Sequence, residues 1–439
     1  MTGTQDITQR VASLVVSEDP KGAKPRTAAT PQEFVQPQPI QVGTALPVSE
    51  ELATYGYILP DKNGDNLPKL FRPVKFRDLT LPNRIIVAPL CQYSAEDGYP
   101  TDWHFVHLGS LATRGAGLVI VEATGVLPNG RITPHCLGLW KDDHIPSFER
   151  IVKYAHSQGT AIGIQLAHAG RKASCNTPFT SRETADVAAS AENGGWLDNV
   201  WGPTNESFKP DVYPTPQAMS LDQIQQVKDA FVAAARRADQ AGFDVVEIHA
   251  AHGYLLHSFL SPLTNTRTDR YGGADNFDNR ARLLLETVEA VRSVWPQGKP
   301  LFVRISATDW VEGEGIDGEH TVELARRLHA LGIDLLDVST GGLTPRQKIT
   351  AKPLYQVPYS AQVKRAVPDL ATSAVGIIRD GKDAEEVLQK GEADLIAIGR
   401  PFLSSTSWAL EAAAQLGVYV KWPQQYERAR PKLRLIAPL

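Results

Sequence analysis

Residues 220–255, SLDQIQQVKDAFVAAARRADQAGFDVVEIHAAHGYL, read as one helix, one strand and the turn that follows it. Ser220 and Gln223 have the spacing of a capping box, in which each side chain accepts a hydrogen bond from the other residue's backbone N–H. Ile224, Val227, Phe231, Ala234 and Ala238 then recur at helical intervals and form an apolar stripe. Gly242 supplies the stop, since glycine adopts the left-handed conformation after a helix without steric cost. The apolar run Val245 to His249 follows as a buried strand. A helix returning directly into such a strand is the repeating unit of a parallel sheet covered by helices.

The same alternation extends outward from this unit, beginning near Leu70. Four apolar runs come first: Ile85 to Leu90, Leu118 to Ala123, Ala161 to Leu166 and Val245 to His249. Four more follow: Leu301 to Ile305, Leu335 to Ser339, Thr372 to Val375 and Leu395 to Ile398. A second helix shows its own stripe, Val322, Ala325, Leu328 and Leu331, with Gly332 as its stop. Eight units in order predict an α/β fold, a single (β/α)8 TIM barrel, in preference to a doubly wound sheet. Residues 1–66 are rich in Pro, Thr, Gln and Val without a sustained period. They are expected to form an extended or disordered N-terminal leader. The barrel is assigned to 67–430 and a short tail to 431–439.

Composition narrows the partners. A formal net charge of -4 and the lack of a sustained Lys/Arg run argue against nucleic acid and against an anionic membrane surface. No run is long enough to span a bilayer, and the start lacks the pattern of a secretory signal. Three cysteines, Cys91, Cys136 and Cys175, are too few for a disulfide framework. The reading is a cytoplasmic protein that acts on small molecules.

In a TIM barrel the reactive residues stand at the carboxyl ends of the strands. Here those ends carry Pro89-Leu90-Cys91-Gln92-Tyr93, Glu122-Ala123-Thr124, Gln165, His249, and Arg304 with Ser306. Taken singly, each polar residue has a structural explanation: Arg304 pairing with Glu247 or Glu122, or Gln165 tying two strands together. Their placement on one rim favours a site. After the seventh and eighth strands, Gly376 and Gly399-Arg400 precede helical sequence, an arrangement that suits a phosphate. Arg304 and Gln165, with Lys172 adding to the field, suit the edge of a flavin where negative charge gathers on reduction. His249, His252 and Tyr254 place two imidazoles and a phenol within six positions. Two neutral imidazoles can donate to one oxygen while the phenol supplies a proton. A His-x-x-His pair also occurs in metal sites, but no third ligand stands at a recognisable spacing. His168 and His257 read as structural residues.

These residues fall in motifs that resemble the Old Yellow Enzyme family of FMN-dependent ene-reductases, specifically its class III or thermophilic-like branch. The motifs are Asn83-Arg84-Ile85 leading to Ala88-Pro89-Leu90-Cys91-Gln92-Tyr93, Gln165 through Lys172, Ile248 through Tyr254, Arg267 through Gly273 with Asn279-Arg280, and Ile398-Gly399-Arg400. The resemblance implies that Ala88, Pro89, Leu90, Cys91, Ala123, Gln165, Arg304, Gly376, Gly399 and Arg400 hold FMN. It further implies that His249 and His252 bind the substrate oxygen, that Tyr254 donates a proton, and that Tyr93 lines the substrate face. NADPH or NADH would be the reductant. Arg428, in Gln425-Tyr426-Glu427-Arg428, matches an arginine that reaches a neighbouring subunit's site in this branch, which implies a homo-oligomer. The long connection from Cys175 to Met219 is expected to cover the substrate face. The alternative reading is a flavin-binding barrel acting as a sensor or scaffold, which the intact His249, His252 and Tyr254 oppose. Related iron–sulfur reductases would need a cysteine cluster after the barrel, and the sequence has none.

Overall fold

A computed structural model describes residues 41–49, 53, 57–61, 64–179 and 187–430. An antiparallel hairpin, β1 (Val74–Phe76) and β2 (Leu79–Leu81), leads into β3 (Ile85–Val87), β4 (Leu118–Gly125) and β5 (Ala161–Ala167). Within the long connection, β6 (Trp201–Gly202) and β7 (Gln217–Ala218) form a small parallel pair. Then follow β8 (Val245–Ala250), β9 (Leu301–Ser306), β10 (Leu335–Ser339), β11 (Ala371–Ala374) and β12 (Leu395–Ile398). The eight strands β3, β4, β5, β8, β9, β10, β11 and β12 form a closed parallel barrel in that order, with β12 pairing back onto β3. All eight apolar runs become barrel strands.

The helices are α1 (Asp102–Ala112), α2 (Ile145–Ser157), α3 (Leu221–Gln240), α4 (Leu255–Leu260) and α5 (Phe277–Val294), then α6 (Gly318–Ala330), α7 (Val357–Ala366), α8 (Gly381–Gln389), α9 (Arg400–Ser404) and α10 (Trp408–Gln415). In α3 the capping box forms as its sequence requires. Ser220 Oγ accepts from the Gln223 N–H at 3.2 Å, and Gln223 Oε1 accepts from the Ser220 N–H at 2.9 Å. Ile224, Val227, Phe231, Ala234 and Ala238 are all buried on its inner face. Gly242 ends the segment at φ +90°.

Alternation along the strands separates two cores. Ile85 and Val87 pack outward against the helices. Ile86, Leu118, Val245, Phe302, Leu335 and Leu395 point inward and meet Phe76 and Leu81 of the hairpin. The hairpin thus plugs the amino end of the barrel with apolar side chains, and polar chemistry is left to the carboxyl end.

The sequence reading placed the leader boundary at 66, yet part of the chain before it is packed structure. Ala45 bridges Val420, the Leu46 N–H donates to the Tyr419 carbonyl at 2.7 Å, and the Ile58 N–H donates to the Gly417 carbonyl at 2.8 Å. This docking runs mainly through backbone hydrogen bonds, which leave no periodic signature in the side chains. Residues 1–40 and the tail 431–439 lie outside the described residues.

Candidate active site

β8 delivers the histidine pair. Buried His249 accepts a hydrogen bond from the Ala251 N–H on Nδ1 at 3.3 Å, so its ring proton sits on Nε2. The chain then turns sharply, with His252 at φ +60° and Gly253 at φ +75°. Gly253 has no alternative here, because a Cβ would lie 2.3 Å from the Gly342 carbonyl oxygen. The His252 N–H donates to Ser306 Oγ at 2.9 Å, and its Nε2 lies 2.8 Å from Ser339 Oγ. The His249 and His252 ring centroids are 5.2 Å apart, and those of His249 and Tyr254 are 5.0 Å apart, both edge to face.

Burial, helped by the Arg304 cation, holds both imidazoles well below the usual histidine range, so they are neutral donors at neutral pH. Burial likewise pushes the Tyr254 phenol well above its ordinary value, which keeps its proton in place.

Beneath the rim lies a buried polar network. Arg304 Nε faces Asp337 Oδ2 at 3.0 Å, and Ser373 Oγ donates to Asp337 Oδ1 at 2.5 Å. Arg304 therefore pairs with a neighbouring-strand aspartate and not with Glu247 or Glu122. Gln165 Nε2 donates to Glu247 Oε1 at 2.7 Å, tying β5 to β8. Burial and the nearby charge of Asp337 push the Glu247 carboxyl up to about 8, against the pull of Arg304 and Gln165. Lys172 adds its charge to the field on both imidazoles and also has a structural role. Its ammonium donates to the His252 carbonyl at 3.0 Å and the Gly342 carbonyl at 3.1 Å, so it clamps the turn from behind.

Beside the pair opens a cleft of about 1030 Å³, lined by Ala88, Pro89, Leu90, His252, Arg304, Gly376, Gly399 and Arg400 among others. The N–H groups of Gly376, Gly399 and Arg400 find no acceptor among the described residues. Cys91 joins the rim through hydrogen bonds with the Ala123 backbone and the Tyr93 side chain. Of the histidine–tyrosine cluster only His252 lines this cleft; His249, Tyr254, Gln165, Ala123, Cys91 and Tyr93 are not among the cleft-lining residues, and neither is Arg428, which lies exposed in a short turn at 424–429.

Four residues that the sequence reading did not single out help build this site. Ser339 meets His252. Gln356 accepts from Thr340 Oγ at 2.6 Å and donates to the Val375 carbonyl at 3.1 Å, joining the rims of β10 and β11, and Tyr355 forms part of the cleft wall. A serine at a strand end is a weak signal, and a glutamine in a connecting loop is none.

A model of the NADH:flavin oxidoreductase / NADH oxidase family matches residues 69–418. The chain belongs to this family, the Old Yellow Enzymes. An NADH:flavin oxidoreductase of Gibberella zeae is 49% identical over 371 residues, covering 82% of this chain and 88% of that one. An NADPH dehydrogenase of Bacillus subtilis is 43% identical over 362 residues, covering 82% of this chain and 98% of that one. Among solved structures, morphinone reductase aligns with a TM-score of 0.65 at 27% identity, covering 81% of this chain and 92% of that one. A 2-naphthoyl-CoA reductase complex aligns at 0.71 with 24% identity, covering 79% of this chain and 52% of that one, a likeness in fold alone.

FMN is the cofactor of this flavin oxidoreductase and a nicotinamide its reductant. The cleft suits that group on its own chemistry. Unpaired N–H donors and the Arg400 guanidinium meet a phosphate's needs, while Arg304 offers a cation to the ring edge that becomes electron-rich.

Proposed function

We propose that this flavin oxidoreductase is an ene-reductase that uses NADPH or NADH to reduce carbon–carbon double bonds conjugated to a carbonyl or nitro group. Enones, enals, maleimides and nitroalkenes are its substrate classes. One observation carries the reading: two neutral imidazoles and one protonated phenol cluster at a single turn, with ring centroids 5.2 Å and 5.0 Å apart, and His252 opens that cluster to the cleft.

The chemistry FMN supplies when bound is the two-electron relay from nicotinamide to the alkene's β carbon. The protein's own groups do the rest. His249 presents its Nε2–H to the substrate oxygen. His252 acts as the second donor through Nδ1–H, which requires Ser339 to donate its hydroxyl to His252 Nε2 at 2.8 Å in place of the longer 3.4 Å contact with Gln356 Oε1, an oxygen that Thr340 already serves. Both bonds strengthen as negative charge develops on that oxygen, so they favour the transition state over the ground state. Tyr254 then gives its proton to the α carbon. A buried phenol is a weak acid, but an enolate-like carbon is a stronger base, so the transfer runs downhill. Nicotinamide and alkene use the same face in turn, which gives ping-pong kinetics.

The remaining assignments follow the same site. Gln165 and Arg304 serve the pyrimidine end of FMN, Ala88 to Cys91 and Ala123 its ring, and Gly376, Gly399 and Arg400 its phosphate. Tyr93 lines the substrate face and meets Phe179 of the long connection, ring centroids 6.3 Å apart. Trp196 and Tyr254 pack against one small apolar cluster, so the connection is placed to select substrates. Arg428, exposed and outside its own cleft, is available to a second copy in a homo-oligomer. The three free cysteines fit a reducing, cytoplasmic setting, and among the described residues no helix is long and apolar enough to cross a membrane.

Anaerobic titration tests the reading. The holoprotein's yellow absorbance should bleach with NADPH or NADH and return on adding an enone or maleimide. Bleaching without recovery across that panel would defeat it.

A further inference from the structure

The turn that aims His252 has two consecutive residues in the left-handed region, a conformation that a side chain with a Cβ disfavours. Something must hold it. Lys172 and Ser306 grip the His252 carbonyl and N–H, and a third restraint comes from inside the barrel wall. The Gly253 N–H donates to His257 Nδ1 at 2.9 Å. His257, on α4, is fully buried, and its other ring nitrogen lies 3.0 Å from Asp309 Oδ1, which is also fully buried. The second oxygen of Asp309 accepts from Ser261 Oγ at 2.7 Å and from the Ile316 N–H at 2.8 Å.

An imidazole that accepts on Nδ1 carries its proton on Nε2, and here Nε2 stands within ion-pair distance, outside hydrogen-bond alignment, of a carboxylate whose other oxygen is held by two donors. The opposite tautomer would set a ring N–H against the Gly253 N–H and drive the turn outward. The carboxylate therefore selects the ring form that the turn needs, from the loop that follows β9.

We propose that the His257–Asp309 pair is a positioning device: it fixes the His257 tautomer that holds the Gly253 amide, and so sets the angle at which His252 enters the site. The inference rests on reading His252 as a substrate-binding residue. Neither member of the pair touches substrate, and both act through the turn.

The test compares His257→Leu with His257→Asn in the FMN-loaded enzyme, together with Asp309→Asn. Leucine fills the space but cannot accept from Gly253, whereas asparagine leaves space but places an oxygen where Nδ1 stood. A packing role makes leucine the milder change, and a positioning role makes asparagine the milder change. In enzyme carrying ¹⁵N-labelled histidine, the His257 ring should appear as the Nε2–H tautomer. The His252 ring resonances should move in His257→Leu and Asp309→Asn, and return close to wild type in His257→Asn. KM for a maleimide should rise about tenfold or more in the first two variants, with bound FMN and kcat changed much less. An Nδ1–H ring at His257, or His252 signals indifferent to His257→Leu, would overturn the proposal. Failure of the functional reading looks different: wild-type enzyme would not turn over maleimide, while the resonance pattern would still report whether the pair sets the turn.

Discussion

Arg304 Nε on β9 stands 3.0 Å from Asp337 Oδ2 on β10, and their side chains are only 8% and 3% exposed. Glu247 feels the same cation without pairing with it, its own hydrogen bond coming from Gln165. Arg304→Leu should strand the Asp337 carboxylate and cost about 3–5 kcal/mol, the usual penalty for halving a buried pair. Urea unfolding would show the loss, and gel filtration should separate FMN from the protein. The double change Arg304→Leu with Asp337→Leu should regain much of the stability without regaining FMN. If FMN stays bound in the double variant, Arg304 does not serve the cofactor.

Tyr254→Phe removes one hydroxyl and leaves the ring packing. Its effect should fall on the alkene half-reaction, by about 10²–10⁴-fold if the phenol is the general acid. Flavin reduction by NADPH should stay within a few fold of wild type. Stopped-flow absorbance resolves the two steps, and equal slowing of both would rule out a proton-donor role.

Ser339→Ala leaves His252 Nε2 without its hydroxyl partner at 2.8 Å. The ring is then free to take the tautomer that presents no donor to substrate. KM for enones should rise about tenfold, equivalent to ~1.4 kcal/mol, with little change in melting temperature. Ser339→Thr should restore most of the affinity.

Gly253→Ala forces a Cβ to within 2.3 Å of the Gly342 carbonyl oxygen, in backbone already at φ +75°. The turn must open. Alkene reduction should fall by more than tenfold, and stability should drop by about 1–3 kcal/mol from the strained backbone. Differential scanning calorimetry and steady-state kinetics would check the two effects.

The protein should lose stability steeply on acidification. Burial pushes His168 down to about 3, and His249 and His252 also lie well below the usual range. In the unfolded chain histidine titrates near 6.5, so below that pH the unfolded state takes up more protons and the native state loses ground. The slope is up to ~1.4 kcal/mol per pH unit for each such histidine. Glu247 works the other way: raised from 4.5 to about 8, it keeps an extra proton in the folded state, and its contribution fades as pH rises through that window. Unfolding free energies measured from pH 5 to 8 should peak near neutrality. A curve flat from pH 5 to 7 would contradict the burial of neutral imidazoles.

Much of this fold is written locally. Strands buried on both faces must be apolar along their length, so β4, β8 and β9 stand out as runs, and Ser220 with Gln223 marks where α3 begins. His249, His252 and Tyr254 are readable because one turn carries them all. Other features lack any local mark. Asp337 partners Arg304 only because β9 and β10 lie side by side in register. Lys172 reads from the sequence as a charge near the site, and nothing local marks its hydrogen bonds to the His252 and Gly342 carbonyls. Residues 41–49 and 57–61 carry no periodic signal because their attachment is made largely by backbone groups, which every sequence possesses.

The sequence by itself determined the eight-stranded barrel, the end at which chemistry collects and the chemical identity of the donors, since periodicity and chain adjacency are local properties. Only the tertiary structure decided which buried charges face each other, which serine and glutamine brace the rim, and how the His252–Gly253 turn is held. Those are relations between strand ends and loops far apart in the chain, brought together only when the barrel closes.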